Sequence, residues 1–263
     1  MSVLLPLYTF PWPGVWDPLY WEANKNPNLN FTVVINPCSG PCMDALPPQS
    51  YIDEIPKLAQ YPNIRTLGYV ATNYTEKPLA NTTAEIQRWA AWPEIMNNSK
   101  IAVDGIFFDE TPGLYHWQKH DYLKAARDEV KKADSGLGQK IVVHNPGTLP
   151  DYTWNYLDIA DITVIFEDTF ANFITASRFN AMKDFPRLSN YSTEAFSIMI
   201  HSMGNIPNEL TEWTAEHARD LAGWNYATSV SEIGEWWHSF PDIFDLWTTK
   251  YADTEEKGEE EEE

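Results

Sequence analysis

Val103-Asp104-Gly105-Ile106-Phe107-Phe108-Asp109-Glu110-Thr111-Pro112 is the stretch that decides how the rest of the chain is read. Ile106, Phe107 and Phe108 form an apolar run with the length and aromatic content of a buried strand. Two adjacent carboxylates end it, and Thr111-Pro112-Gly113 breaks the chain behind them. Unpaired charge is costly to bury, so such a strand must deliver Asp109 and Glu110 to a rim or a cleft. A single Asp-Glu pair after one strand would suit a helix cap or a solvated edge equally well. The same pattern recurs along the chain, which argues for a shared mouth.

Working outward, strands are expected over 3–10, 31–35, 65–70, the opening stretch, 140–143, 162–166, 196–200 and 225–228. A long aromatic loop, 11–17, follows the first. Helices are expected over 51–60, from a cap at Thr82 or Thr83 through Trp89, over 120–133, around 173–182, over 210–224, and around Phe244 and Trp247. A helical turn is expected at 154–157. Strands alternating with helices are the signature of a parallel α/β fold. Eight such units in 263 residues predict a (β/α)8 TIM-type barrel, one domain over residues 1–252. Residues 253–263 hold eight acids and Lys257. That like-charge block has nothing to bury and is expected to be disordered.

The net charge is -20, of which the tail contributes -7, so the body keeps -13. Nucleic acid is excluded as a partner because its phosphates demand a basic footprint. A neutral or cationic substrate fits the field better. With 12 Trp and 13 Tyr, the chain has aromatics to spare for stacking on sugars as well as for its core. No run of eighteen apolar residues predicts a membrane span. The N-terminus lacks a basic region and reaches Pro6 too soon for a signal peptide. Sequons nevertheless stand at Asn30, Asn73, Asn81, Asn97 and Asn190. An extracellular or wall-associated location is expected if the chain has been trimmed, and a cytoplasmic one otherwise. Cys38 and Cys42 lie in a loop with Gly40 and Pro41, where a tight turn would bring their Cα atoms within the roughly 4.4–6.8 Å of a disulfide. Two free thiols are the alternative in a reducing compartment.

In such a barrel the C-terminal strand ends form the active site. Asn36, Tyr69, Asp109, Glu110, His144, Asn145, Glu167, Asp168 and His201 fall there. Alternation along strands puts Gly105, Phe107 and Asp109 on the inner face, with Thr163, Ile165 and Glu167, and Ser197, Met199 and His201, on the same parity. Asp109, Glu110 and Glu167 are the candidate catalytic groups, since glycoside hydrolysis needs a proton donor and a second carboxylate. Close carboxylates push their pKa values apart, which keeps one protonated near neutrality. Asn36, Tyr69, His144, Asn145 and His201 are candidate substrate contacts, with Trp12, Trp16, Tyr115 and Trp117 from the loops as stacking platforms. No HExxH or other tight ligand spacing predicts a metal. No phosphate-binding glycine loop predicts a nucleotide cofactor, and no G-x-S-x-G elbow predicts a serine nucleophile.

Pro6-Leu7-Tyr8, Ile35-Asn36-Pro37 with Ser39-Gly40-Pro41, Gly68-Tyr69-Val70, the stretch from Gly105 to Glu110, and His144-Asn145-Pro146-Gly147 occur in an order that resembles the spherulin 4 (spherulation-specific) family, glycoside hydrolase family 135. The resemblance covers most of residues 3–250. It implies a (β/α)8 barrel that cleaves α-1,4-linked N-acetylgalactosamine in fungal galactosaminogalactan; an endo-acting, monomeric enzyme without a cofactor is expected. It also implies function for Asp109, Glu110 and Glu167. The chain departs from the family pattern at Cys38 and Cys42. A catalytically silent carbohydrate-binding or developmental protein on the same barrel is the alternative reading.

Overall fold

The opening stretch is a strand, β4 (Gly105–Asp109), buried as far as Phe108. In the computed structural model, which describes residues 2–151 and 153–260 and side chains as far as residue 252, it is one of eight parallel strands closed into a barrel in chain order. The others are β1 (Ser2–Leu7), β2 (Asn30–Ile35), β3 (Ile64–Ala71), β5 (Ile141–His144), β6 (Ile162–Thr169), β7 (Phe196–His201) and β8 (Trp224–Ala227). Strands covered on both faces read as near-continuous apolar runs, and β1 is buried at every position.

The helices are α1 (Asp17–Lys25), α2 (Gln49–Leu58), α3 (Leu79–Met96), α4 (Trp117–Lys131), α5 (Phe170–Phe173), α6 (Ala176–Ser189), α7 (Asn208–Leu221) and α8 (Phe244–Glu260). The helix expected from a cap at Thr82 or Thr83 starts earlier, behind Pro78. Thr82 is instead buried inside it, bonded to the Tyr122 hydroxyl at 2.6 Å. Helix α1 had no counterpart in the sequence reading, although Pro18 in its first turn is a common start signal. Between β5 and β6 the described chain carries only a turn of 3-10 helix, Leu157–Ile159. Of residues 253–263, expected to be disordered, the backbone continues α8 to Glu260, and 261–263 lie outside the described residues.

Two glycines allow close packing around β4. A Cβ at Gly105 would stand 2.1 Å from the Ile141 carbonyl oxygen, and one at Gly68 would stand 2.5 Å from the Trp89 ring. Register then fixes which side chains enter the barrel. Tyr69 pairs with Phe107, and the two rings stack inside. Phe108 pairs with His144, so both point outward, where their rings meet at 5.8 Å. Strand β6 breaks the simple alternation with an irregularity between Val164 and Phe166. A β-bulge shifts the face on which every later residue emerges. Glu167 therefore points inward while Thr163, expected beside it, faces the outer helices.

Candidate active site

Strand β4 ends where its apolar run ends, and Asp109 is the first side chain past it into the mouth. Three donors converge on its carboxylate. The Tyr69 hydroxyl reaches Oδ2 at 2.7 Å, and the Asn145 amide and the Glu110 backbone N–H each reach Oδ1 at 2.8 Å. The same Asn145 nitrogen donates to Glu167 Oε2 at 2.6 Å. One amide thus spans the carboxylates of β4 and β6. Asn145 is itself fixed, because its Oδ1 accepts the Gly147 N–H at 3.0 Å and its backbone N–H donates to the Phe108 carbonyl at 2.8 Å.

Glu167 is the mouth carboxylate whose acidity is shifted toward neutrality. Burial and then the Asp109 charge push its carboxyl up from 4.5 to about 7, against the opposing hydrogen bonds of Asn145 and Trp237. The Trp237 indole N–H reaches its Oε1 at 3.1 Å. Tyr69 is driven well above its usual acidity range by burial and by Asp109, so it stays a donor. Glu110 is exposed, beside Asp109, with a backbone φ of 52°. Left-handed geometry is unusual for a side chain of this kind and tends to cluster at functional sites.

Of the expected substrate contacts, Tyr69 and Asn145 join the carboxylates. Asn36 does not; its Oδ1 accepts the Gly40 N–H at 2.9 Å and closes the loop after β2. That loop carries a Cys38–Cys42 disulfide with Cα atoms 4.8 Å apart. His144 is directed away from the mouth, since it precedes Asn145 on a strand whose faces alternate. It is buried against Phe108, and burial lowers its pKa to about 3. His201 stacks on Trp236 with ring centroids 4.0 Å apart and meets Trp237 edge-on at 6.3 Å, supporting that pair. Asp168 bonds Asn172 at the start of α5.

Trp16 cannot stack on a ligand: it is 1% exposed, with its N–H donated to the Thr9 carbonyl at 2.9 Å. Trp12 is exposed after β1, and Trp117 and Trp154 are exposed after β4 and β5. Tyr115 is half-buried, packed between Trp154 and Tyr156.

Two site residues were missed. Tyr8 follows β1, meets Tyr69 edge-on at 5.5 Å, and its backbone N–H donates to the Trp237 carbonyl at 3.2 Å. Burial and then Asp109 raise its pKa well above the ordinary value. Trp237 comes from the irregular segment between β8 and α8. The available signal was position: Tyr8 is the first residue beyond an apolar strand, and Trp236-Trp237-His238 follows the last one. Among the described residues no three His, Cys, Asp or Glu side chains are grouped to hold a metal, and no described helix is long and apolar enough to cross a membrane.

The chain is similar to Sph3 of Aspergillus clavatus, solved in complex with GalNAc, with 38% identity, a TM-score of 0.88, and coverage of 95% of this chain and 97% of that one. A chitinase from Rhizomucor miehei shares the fold at 8% identity, with a TM-score of 0.53 and coverage of 95% and 99%. A maltogenic α-amylase, AmyB, from Thermotoga neapolitana does so at 13% identity, with a TM-score of 0.51 and coverage of 96% and 76%. A search of curated proteins gives no match. The family model described as spherulation-specific family 4 matches residues 2–250. With a match over nearly its whole length and a relative of this similarity, the chain belongs to the spherulin 4 family.

Proposed function

We propose that the protein is an endo-acting glycoside hydrolase of α-1,4-linked N-acetylgalactosamine polymers, including partly deacetylated ones. The observation that carries this is the Asn145 amide donating to Asp109 and Glu167 at once. A single amide nitrogen keeps the two oxygens within the sum of its contacts. That fits the ~5–5.5 Å carboxyl spacing of retaining enzymes better than the ~6.5–9.5 Å that leaves room for an inverting water. Supporting the choice of sugar, the Sph3 relative was solved with GalNAc.

In this reading Asp109, oriented by three donors, attacks the anomeric carbon. Glu167, protonated near neutrality, donates its proton to the leaving glycosidic oxygen. Formation of the glycosyl ester removes the Asp109 charge, which is one cause of the raised Glu167 pKa. Glu167 then becomes the stronger acid and takes a proton from the water that hydrolyses the ester. Glu110, at the rim, hydrogen-bonds the sugar beside the scissile bond. Exposed Trp12 on one side of the ring of strands, and Trp117 and Trp154 on the other, give a long glycan stacking surfaces beyond the cleaved bond.

The test is to incubate the protein with α-1,4-N-acetylgalactosamine polymer, chitin and α-galactan and to count reducing ends. Release from the first alone is expected. Tight binding of that polymer without new reducing ends would reject the enzyme and leave a silent carbohydrate-binding barrel.

A further inference from the structure

Glu110 has an exposed side chain, near enough for its charge to bear on Tyr69, and a backbone held from behind. The turn after β3 supplies the hold. The Thr72 hydroxyl lies 2.7 Å from the Glu110 carbonyl and 3.1 Å from that of Asp109, donating to them from a fully buried position. The Thr72 backbone N–H reaches the Asp109 carbonyl at 2.9 Å, and the Tyr74 N–H reaches that of Glu110 at 2.6 Å. The turn is itself strained: Asn73, Tyr74 and Thr75 have φ of 47°, 54° and 73°, all left-handed and none glycine. Such conformations persist only where surrounding bonds over-determine them. Here the bonds include the Lys119 ammonium on the Tyr74 carbonyl at 3.0 Å, which ties the turn to α4.

We propose that Thr72 is a positioning residue that holds Glu110 in its left-handed conformation and so aims its carboxylate at the sugar. The role assigned to Glu110 above is assumed; the backbone relationship is independent of it. The geometry explains why a run of three left-handed residues sits against the Asp109-Glu110 step. A φ of ordinary sign at Glu110 would redirect its side chain. A misplacement of about 1 Å can cost about a hundredfold in rate.

The experiment uses Thr72→Val, which keeps the shape and removes the hydroxyl, and Thr72→Ser, which keeps it. Both carbonyls retain a backbone N–H partner in Thr72→Val, so the variant should fold with nearly unchanged Tm. A crystal structure of Thr72→Val should show Glu110 leaving positive φ. Its kcat should fall about tenfold or more with little change in KM, and Thr72→Ser should restore it. In a Glu110→Gln background, Thr72→Val should add no further loss, because coupled residues are not additive. Glu110 retaining positive φ in Thr72→Val, or kcat remaining at the wild-type value, overturns the proposal. A wild-type chain with no turnover would instead defeat the hydrolase reading, and the φ at Glu110 would still decide the role of Thr72.

Discussion

Glu167 accepts the Trp237 indole N–H at 3.1 Å, a contact that joins β6 to the segment after β8 across 70 residues. The bond favours the ionised carboxyl and so opposes the upward shift of its pKa. Replacing Trp237 by Phe removes the donor and keeps most of the ring. The Glu167 pKa should then rise further, and the basic limb of kcat/KM against pH should move to higher pH. Turnover should fall by less than the roughly 10²-fold or more expected when the acid itself is lost in Glu167→Gln. Steady-state pH profiles of the two variants check this.

The same carboxyl carries a stability cost. Between 4.5 and about 7 the unfolded chain has released the Glu167 proton while the folded chain retains it. Folding stability therefore falls as pH rises through that window, by up to about 3 kcal/mol, and the loss is complete above it. Glu167→Gln should gain in Tm relative to wild type between pH 4.5 and pH 8. Thermal melts of both proteins across that range check the sign.

These two predictions rest on residues that differ in how readable they were. Asp109 was legible because an apolar run cannot carry a charge into a core, and Tyr69 because it falls at the end of an expected strand. His144 and Asn145 both sit at a strand end. Only register with Phe108 shows that the histidine faces out and the asparagine faces in. The parity expected for β6 failed at Thr163 because a bulge leaves no mark in hydrophobic alternation. Trp237 carried only a signal of position, for another reason: residues 228–243 have no period, and their approach to Glu167 is set by tertiary bonds such as that from Tyr8.

The Cys38–Cys42 bridge closes a loop held by Asn36 and by Arg88 on the Cys42 carbonyl, with no hydrogen bond among the described residues to the three carboxylates. Chain entropy for so short a loop gives about 2 kcal/mol. Replacing both cysteines by Ser should lower Tm by several degrees and leave kcat within about twofold. Alkylation without reductant should label no thiol in the wild-type protein, as intact mass reports.

A body of net charge -13 should draw a polycation toward the mouth. Screening shortens the Debye length from about 30 Å at 0.01 M salt to about 10 Å at 0.1 M. KM for partly deacetylated polymer should rise over that range, while KM for a short, fully acetylated oligomer barely moves. Initial rates on protein ending at Ala252 check this without the acidic tail.

The shared Asn145 amide makes the paired action of Asp109 and Glu167 the central claim, and the anomer released from a defined α-1,4-N-acetylgalactosamine oligomer tests it most directly. Proton NMR in the first minutes should show the α-anomer, formed by two displacements through the Asp109 ester and abolished in Asp109→Asn. Initial release of the β-anomer, or undiminished cleavage by Asp109→Asn, would contradict it.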